Sequence, residues 1–259
     1  MVNLKELTTF LETMAPKEMA ESYDNVGLLI EGVSENIHKV LIALDADENT
    51  VRQAEEQGID LIISHHPLIF KPLARLTEAT GNERTVRRLL QKGIGLYAMH
   101  TNFDAAENGL CDLFLDSFGD FKNRSSFASD IAGIGRVGDL AQPCTLEELL
   151  KRGQKSFQGA ILSYVGALSD SVSKVAVCNG GGGDLVYDAY HLGAEVYISG
   201  DFKHHHARFA LENGLMLIGV SHYDAEIGFC KFLAQKLNET FGGQLEIVVS
   251  HEKNPWHSY

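Results

Sequence analysis

One pattern of 26 residues occurs twice in the chain, and no other feature limits the fold as much. Lys39 to Ser64 and Lys174 to Ser199 align without a gap at an offset of 135 residues. Identities fall at Lys39/Lys174, Val40/Val175, Val51/Val186, Ala54/Ala189, Gly58/Gly193, Ile63/Ile198 and Ser64/Ser199. Each copy reads as strand, helix, strand. In the first, "KVLIALDAD" is a buried apolar run, "ENTVRQAEEQG" is helical and closed by Gly58, and "IDLIIS" is apolar again. In the second, "KVAVCN", "GDLVYDAYHLG" and "AEVYIS" keep that order. A βαβ unit demands a parallel sheet.

The likeness extends loosely beyond the window. "ERTVRRLLQKG", "IGLYAM" and the loop "HTNFD" follow the first copy, and "HHARFALENG", "LMLIGV" and "SHYDAE" the second. We read this as an internal duplication: an α/β protein of two similar lobes, each with a largely parallel or mixed sheet flanked by helices. A boundary near Asn123 to Ser129 divides them into 1–125 and 126–259, with the C-terminal segment packing back on the first lobe. The region between the copies, Asp120 to Ser173, is richer in Gly and Ser. It includes "CTLEELLKRG", where Thr145 and Glu148 have capping-box spacing.

The chemistry-bearing residues gather where these strands end. Seven of the eleven histidines, His65, His66, His100, His204, His205, His206 and His222, lie in "HHP", "HTNFD", "GDFKHHH" and "SHYDAE". Open α/β sheets bind ligands beyond the carboxyl ends of their strands, so four such ends form a candidate site. Imidazole and carboxylate together suit a divalent transition ion such as Zn, Mn, Fe or Ni. His222 and Glu226, and likewise His100 and Asp104, are four residues apart and share a face on a helical turn. The inventory can furnish a dinuclear centre with ions about 3.5 to 4 Å apart. The competing reading is that a strand-end histidine is a cap or a surface group. We prefer a solvated helix start for His206 and surface positions for His38, His191, His251 and His257. Asp45 and Asp47 either cap the next helix or bind a ligand. The run Gly180 to Gly183 is either an anion cradle before a helix or a tight packing turn.

Composition narrows the function. A net charge of -13 opposes nucleic-acid binding. No apolar run approaches the roughly 20 residues that span a bilayer. The acidic, amphipathic beginning "MVNLKELTTFLETMAPKEM" is not a secretory signal. Four cysteines without C-x-x-C spacing argue against a disulfide framework or a structural zinc site, so a reducing cytoplasm is expected.

Taken in order, "SYDNVGLLIEG", "IISHHPLIF", "MHTNFDAAENG", "SGDFKHHHA" and "GVSHYDAE" resemble the motifs of the NIF-three-like dinuclear metal family, whose bacterial members are called GTP cyclohydrolase 1 type 2 homologs. The resemblance covers nearly the whole chain, in the short form without an inserted domain. It implies two divalent ions per chain, held by His65, His66, Asp104, His222 and Glu226, with Glu226 bridging. Successive side chains of an extended segment point to opposite faces, so His65 and His66 would then serve different ions, and Pro67 holds the pair extended. His100 and His204 become candidates for proton transfer. Lys203 and His205, with Gly181 and Gly182, become candidates for holding substrate. A toroidal homohexamer is implied. The chain departs from the family pattern in Tyr23 for Trp, Ser221 for Gly and Ala225 for Thr, none of them a ligand.

The function expected from this likeness is metal-dependent hydrolysis of a nucleotide or related small molecule, since a bound ion makes water acidic enough to attack near neutral pH. The alternative is a non-catalytic metal store or carrier, or a ring-shaped interaction scaffold.

Overall fold

The structure is a computed structural model that describes residues 1–128, 133–157 and 160–257. It is an α/β protein of two compact units, Met1–Phe103 with Phe229–Tyr259, and Asp104–Gly228. The expected boundary at 125/126 falls instead inside the strand Phe121–Phe127, and its further limit, Ser129, lies outside the described residues.

The first unit is built on a five-stranded sheet in the order Glu246–Val249, Lys39–Ala43, Leu61–Ser64, Gly95–Ala98, Gly27–Ile30. The first four strands run parallel and the last antiparallel. Leu61–Ser64 and Gly95–Ala98 are buried at every position, as strands covered on both faces must be. The crossover helix Glu48–Gln57 begins at Asp47, whose carboxylate accepts the Thr50 N–H at 2.7 Å. It ends at Gly58 in the left-handed region, φ 65°. Its inner residues Val51 and Ala54 join Leu41, Ile62, Val86, Leu89 and Leu96 in one apolar cluster. The C-terminal helix Gly228–Phe241 buries Phe229, Leu233, Leu237 and Phe241, one per turn, and its Phe241 ring meets Phe10 edge-on at 5.2 Å.

The second unit has, among the described residues, a six-stranded sheet in the order Phe121–Phe127, Gly135–Thr145, Ser171–Val177, Val196–Ser199, Met216–Gly219, Ser163–Val165. The parallel strands Ser171–Val177, Val196–Ser199 and Met216–Gly219 form its centre, with antiparallel strands outside. Val40 pairs with Leu61 and Val175 with Val196, so the two copies of the pattern adopt the same register. The capping box at Thr145 and Glu148 forms as its spacing predicts. Among the described residues, no helix is long and apolar enough to cross a membrane.

Candidate metal centre

In the first unit the polypeptide leaves Leu61–Ser64 still hydrogen-bonded to its neighbour. The His65 N–H donates to Ala43 O at 3.1 Å and the His66 N–H to Leu44 O at 2.9 Å. The doublet is therefore tied to the neighbouring strand, but it lies in a bend just past the strand end rather than in the extended backbone expected. His65 is fully buried, and its Nδ1 donates to the Met99 carbonyl at 2.7 Å. His66 Nδ1 donates to Asp45 Oδ1 at 2.9 Å. His100 Nδ1 donates to both Asp24 oxygens at 2.9 Å. In a neutral ring each bond leaves the lone pair on Nε2. The three rings lie 5.1 to 5.6 Å apart between centroids, with one ligand atom from each mutually within 4.8 Å.

The carboxylates behind these rings are themselves held. Asp24 also accepts from the Thr101 N–H at 3.1 Å and from the Thr101 hydroxyl. Burial works to raise the Asp24 carboxyl, but the hydrogen bond and charge of His100, with the bonds from Thr101 and Asn25, hold it down to about 2. Glu252, from the C-terminal segment, accepts the N–H groups of Leu44 and Asp45 at 2.7 and 2.8 Å. It thereby fixes the turn that carries the partner of His66. Burial pushes the Glu252 carboxyl up despite those bonds.

In the second unit "SHYDAE" is the short helix His222–Glu226, capped by Ser221, whose hydroxyl accepts the Asp224 N–H at 3.1 Å. His222 Nδ1 donates to Asp201 Oδ2 at 2.8 Å, and its Nε2 is 3.1 Å from Glu226 Oε2. Glu226 and Asp104 are both buried, and both accept from the Asn179 amide, at 3.3 and 2.8 Å respectively. The expected loop "HTNFD" is in fact largely the helix Thr101–Ala105. The buried Arg136 donates to the Ala105 and Ala106 carbonyls at 2.8 and 2.9 Å and pairs with Asp112.

The other candidates are placed differently. Lys203, His204 and His205 are exposed at the start of the helix His204–Asn213. His206 is fully buried, which corrects the expectation of a solvated position. Its Nδ1 accepts the Lys203 N–H at 3.2 Å and its Nε2 donates to Asp184 at 2.9 Å. Asp184, His205 and His206 bring donors within 4.8 Å of one another, but both His206 nitrogens are already engaged. The glycine run shows the marks of close packing. A Cβ at Gly180, φ 58°, would strike the Glu226 carboxylate, and one at Gly182 would lie 2.7 Å from Ser199 Oγ. The Gly182 carbonyl accepts the buried Tyr197 hydroxyl at 2.6 Å. Gly181 remains exposed. Asp47 is a helix cap, whereas Asp45 serves His66.

Taken by itself, each unit offers donors that fit a divalent transition ion: three imidazoles with Nδ1 committed to a carbonyl or carboxylate in the first, and one such imidazole with two buried carboxylates in the second, the pattern by which proteins orient metal-ligating histidines. Asp24 and Glu252 in the first unit, and Asn179 and Asp201 in the second, support these donors without having been singled out as site residues, and Asp45, expected to cap a helix or bind a ligand, orients His66 instead. Asp45, Asn179 and Asp201 follow closely on strands, which was the one available signal.

Comparison with known proteins identifies the family. The model of the family Duf34/NIF3 (NGG1p interacting factor 3) matches residues 2–255. A Clostridium perfringens protein named GTP cyclohydrolase 1 type 2 homolog is 34% identical over 260 residues, covering 98% of this chain and 99% of its own. A Lactococcus lactis protein of the same name is 36% identical over 249 residues, covering 95% of each. Among solved structures, reduced HcgD from Methanocaldococcus jannaschii superposes with a TM-score of 0.85 at 30% identity, covering 97% of this chain and 98% of its own. With matches that span nearly its whole length in both sequence and fold, the chain belongs to the Duf34/NIF3 family.

Proposed function

We propose that this chain is a cytoplasmic hydrolase that depends on two divalent metal ions and acts on a nucleotide or related small molecule. His65, His66, Asp104, His222 and Glu226 would hold the ions, with Zn, Mn, Fe or Ni as candidates. The carrying observation is the trio His65, His66 and His100, gathered within one unit with every Nδ1 tied to an acceptor. Orienting three imidazoles in this way suits ligation and the movement of protons at Nε2. When bound, the ions would supply Lewis acidity and activate water.

His100, with Nδ1 fixed by Asp24, is placed to exchange a proton at Nε2, and His204 is the second candidate for that task. Lys203 and His205, both exposed, would meet the anionic part of a substrate, and Gly181, also exposed, is a further candidate for that contact. The relatives' printed names make GTP the first compound to test. The same reading includes assembly as a homohexamer, for which light scattering should give six times the mass of one chain. Metal-loaded protein should turn over GTP or another member of a nucleotide panel, with turnover lost in Glu226→Ala. No turnover across the panel, together with readily exchanged metal, would replace the hydrolase with a metal carrier.

A further inference from the structure

We infer that Asn179 is a positioning residue that presents the carboxylates of Asp104 and Glu226 to metal; this rests on the proposed metal site. Asn179 directly follows Cys178 beyond the central strand Ser171–Val177 and is buried. Its Nδ2 donates to Asp104 Oδ1 at 2.8 Å and to Glu226 Oε1 at 3.3 Å. Its Oδ1 faces the Cys111 thiol, whose single proton is shared between this oxygen and the Ile134 carbonyl at 2.6 Å. The thiol on one side and two carboxylates on the other allow only one orientation of the amide. Turned over, it would set its oxygen against two negative groups and its N–H groups against a weak acceptor.

Such an arrangement answers a particular difficulty. Two carboxylates brought together away from water repel each other. A neutral amide that donates to both lowers that cost without adding a positive charge that would repel a cation. The next residue contributes as well. Gly180 lies in the left-handed region at φ 58°, and its missing side chain leaves the space that the Glu226 carboxylate occupies. The Glu226 oxygen turned away from Asn179 is the one beside His222 Nε2. The turn "NGG" thus seats a carboxylate of the protein, and this accounts for Gly180 without an anionic ligand.

The test is Zn2+ affinity of the full chain, measured by chelator competition, together with the visible absorption of the Co2+-loaded protein, which reports ligand geometry. Asn179→Ala should bind Zn2+ about 10- to 100-fold more weakly than wild type, the range found when a group behind a ligand is removed. Its Co2+ bands should shift in position or intensity. Cys111→Ser, which keeps a donor to Oδ1, should stay close to wild type in both. If Asn179→Ala does not fold, Asn179→Leu, which keeps the bulk of the side chain and removes the donor, carries the same comparison with the same loss expected. Wild-type affinity and an unchanged Co2+ spectrum in a folded Asn179 variant would overturn the inference. Absence of metal binding by the wild type would instead remove the site on which it rests.

Discussion

His65, His66 and His100 each depend on a second residue distant in sequence. His100 and Asp24 are 76 residues apart, and His65 reaches the Met99 carbonyl across 34. The histidines could be picked out because imidazoles at strand ends are unusual in number. Their acceptors could not, since an aspartate in a turn looks the same whether it caps a helix or orients a ring. Asp45 and Asp47 sit two residues apart and do one of these things each. Asp24 offers a direct test. Its carboxyl is held at about 2 in the folded chain against an ordinary 3.8, so the folded state prefers the ionised form. The resulting stabilisation is complete above about pH 4 and is lost as the pH falls toward 2. Metal-free wild type should therefore lose denaturant resistance across that interval. Asp24→Asn should be less stable at neutral pH and flatter between pH 4 and 2. Parallel curves for the two proteins would contradict this assignment.

At the scale of elements, what could be read in advance was whatever has a local cause. Gly58, Gly93 and Gly214 end helices in the left-handed region, and Thr145 with Glu148 starts one. The parallel strands announce themselves as short continuous apolar runs. The strand Gly135–Thr145, by contrast, reads "GRVGDLAQPCT", where two glycines, an arginine and a proline hide the alternation. It forms because it pairs on both sides, with Phe121–Phe127 and with Ser171–Val177, a tertiary circumstance that overrides weak local preference. Its Arg136 illustrates the same limit. The guanidinium is buried, satisfies four backbone carbonyls and pairs with Asp112 at 3.1 Å, which ties this strand to the backbone just after Asp104. Arg136→Ala leaves Asp112 and those carbonyls unmatched and should cost about 3 to 5 kcal/mol in chemical unfolding. A loss below about 1 kcal/mol would mean that water replaces the guanidinium.

For the molecule as a whole, the repeated βαβ pattern and the resemblance of the motifs foresaw an α/β protein whose two larger sheets are parallel or mixed. The return of the C-terminal segment to the first lobe was expected, but not the strand it joins. Residues 229–259 contribute a helix and an edge strand to the first unit, because Glu246–Val249 pairs with Lys39–Ala43. Nothing local in "LEIVV" names that partner. Of the proposed ligands, His65 and His66 belong to the first unit and Asp104, His222 and Glu226 to the second. Metal content per chain, with element identity from anomalous scattering, tests this most directly. The account predicts about two divalent ions in the wild type, and fewer in a folded His65→Ala, His222→Ala double variant. Retention of both ions by that variant would contradict it.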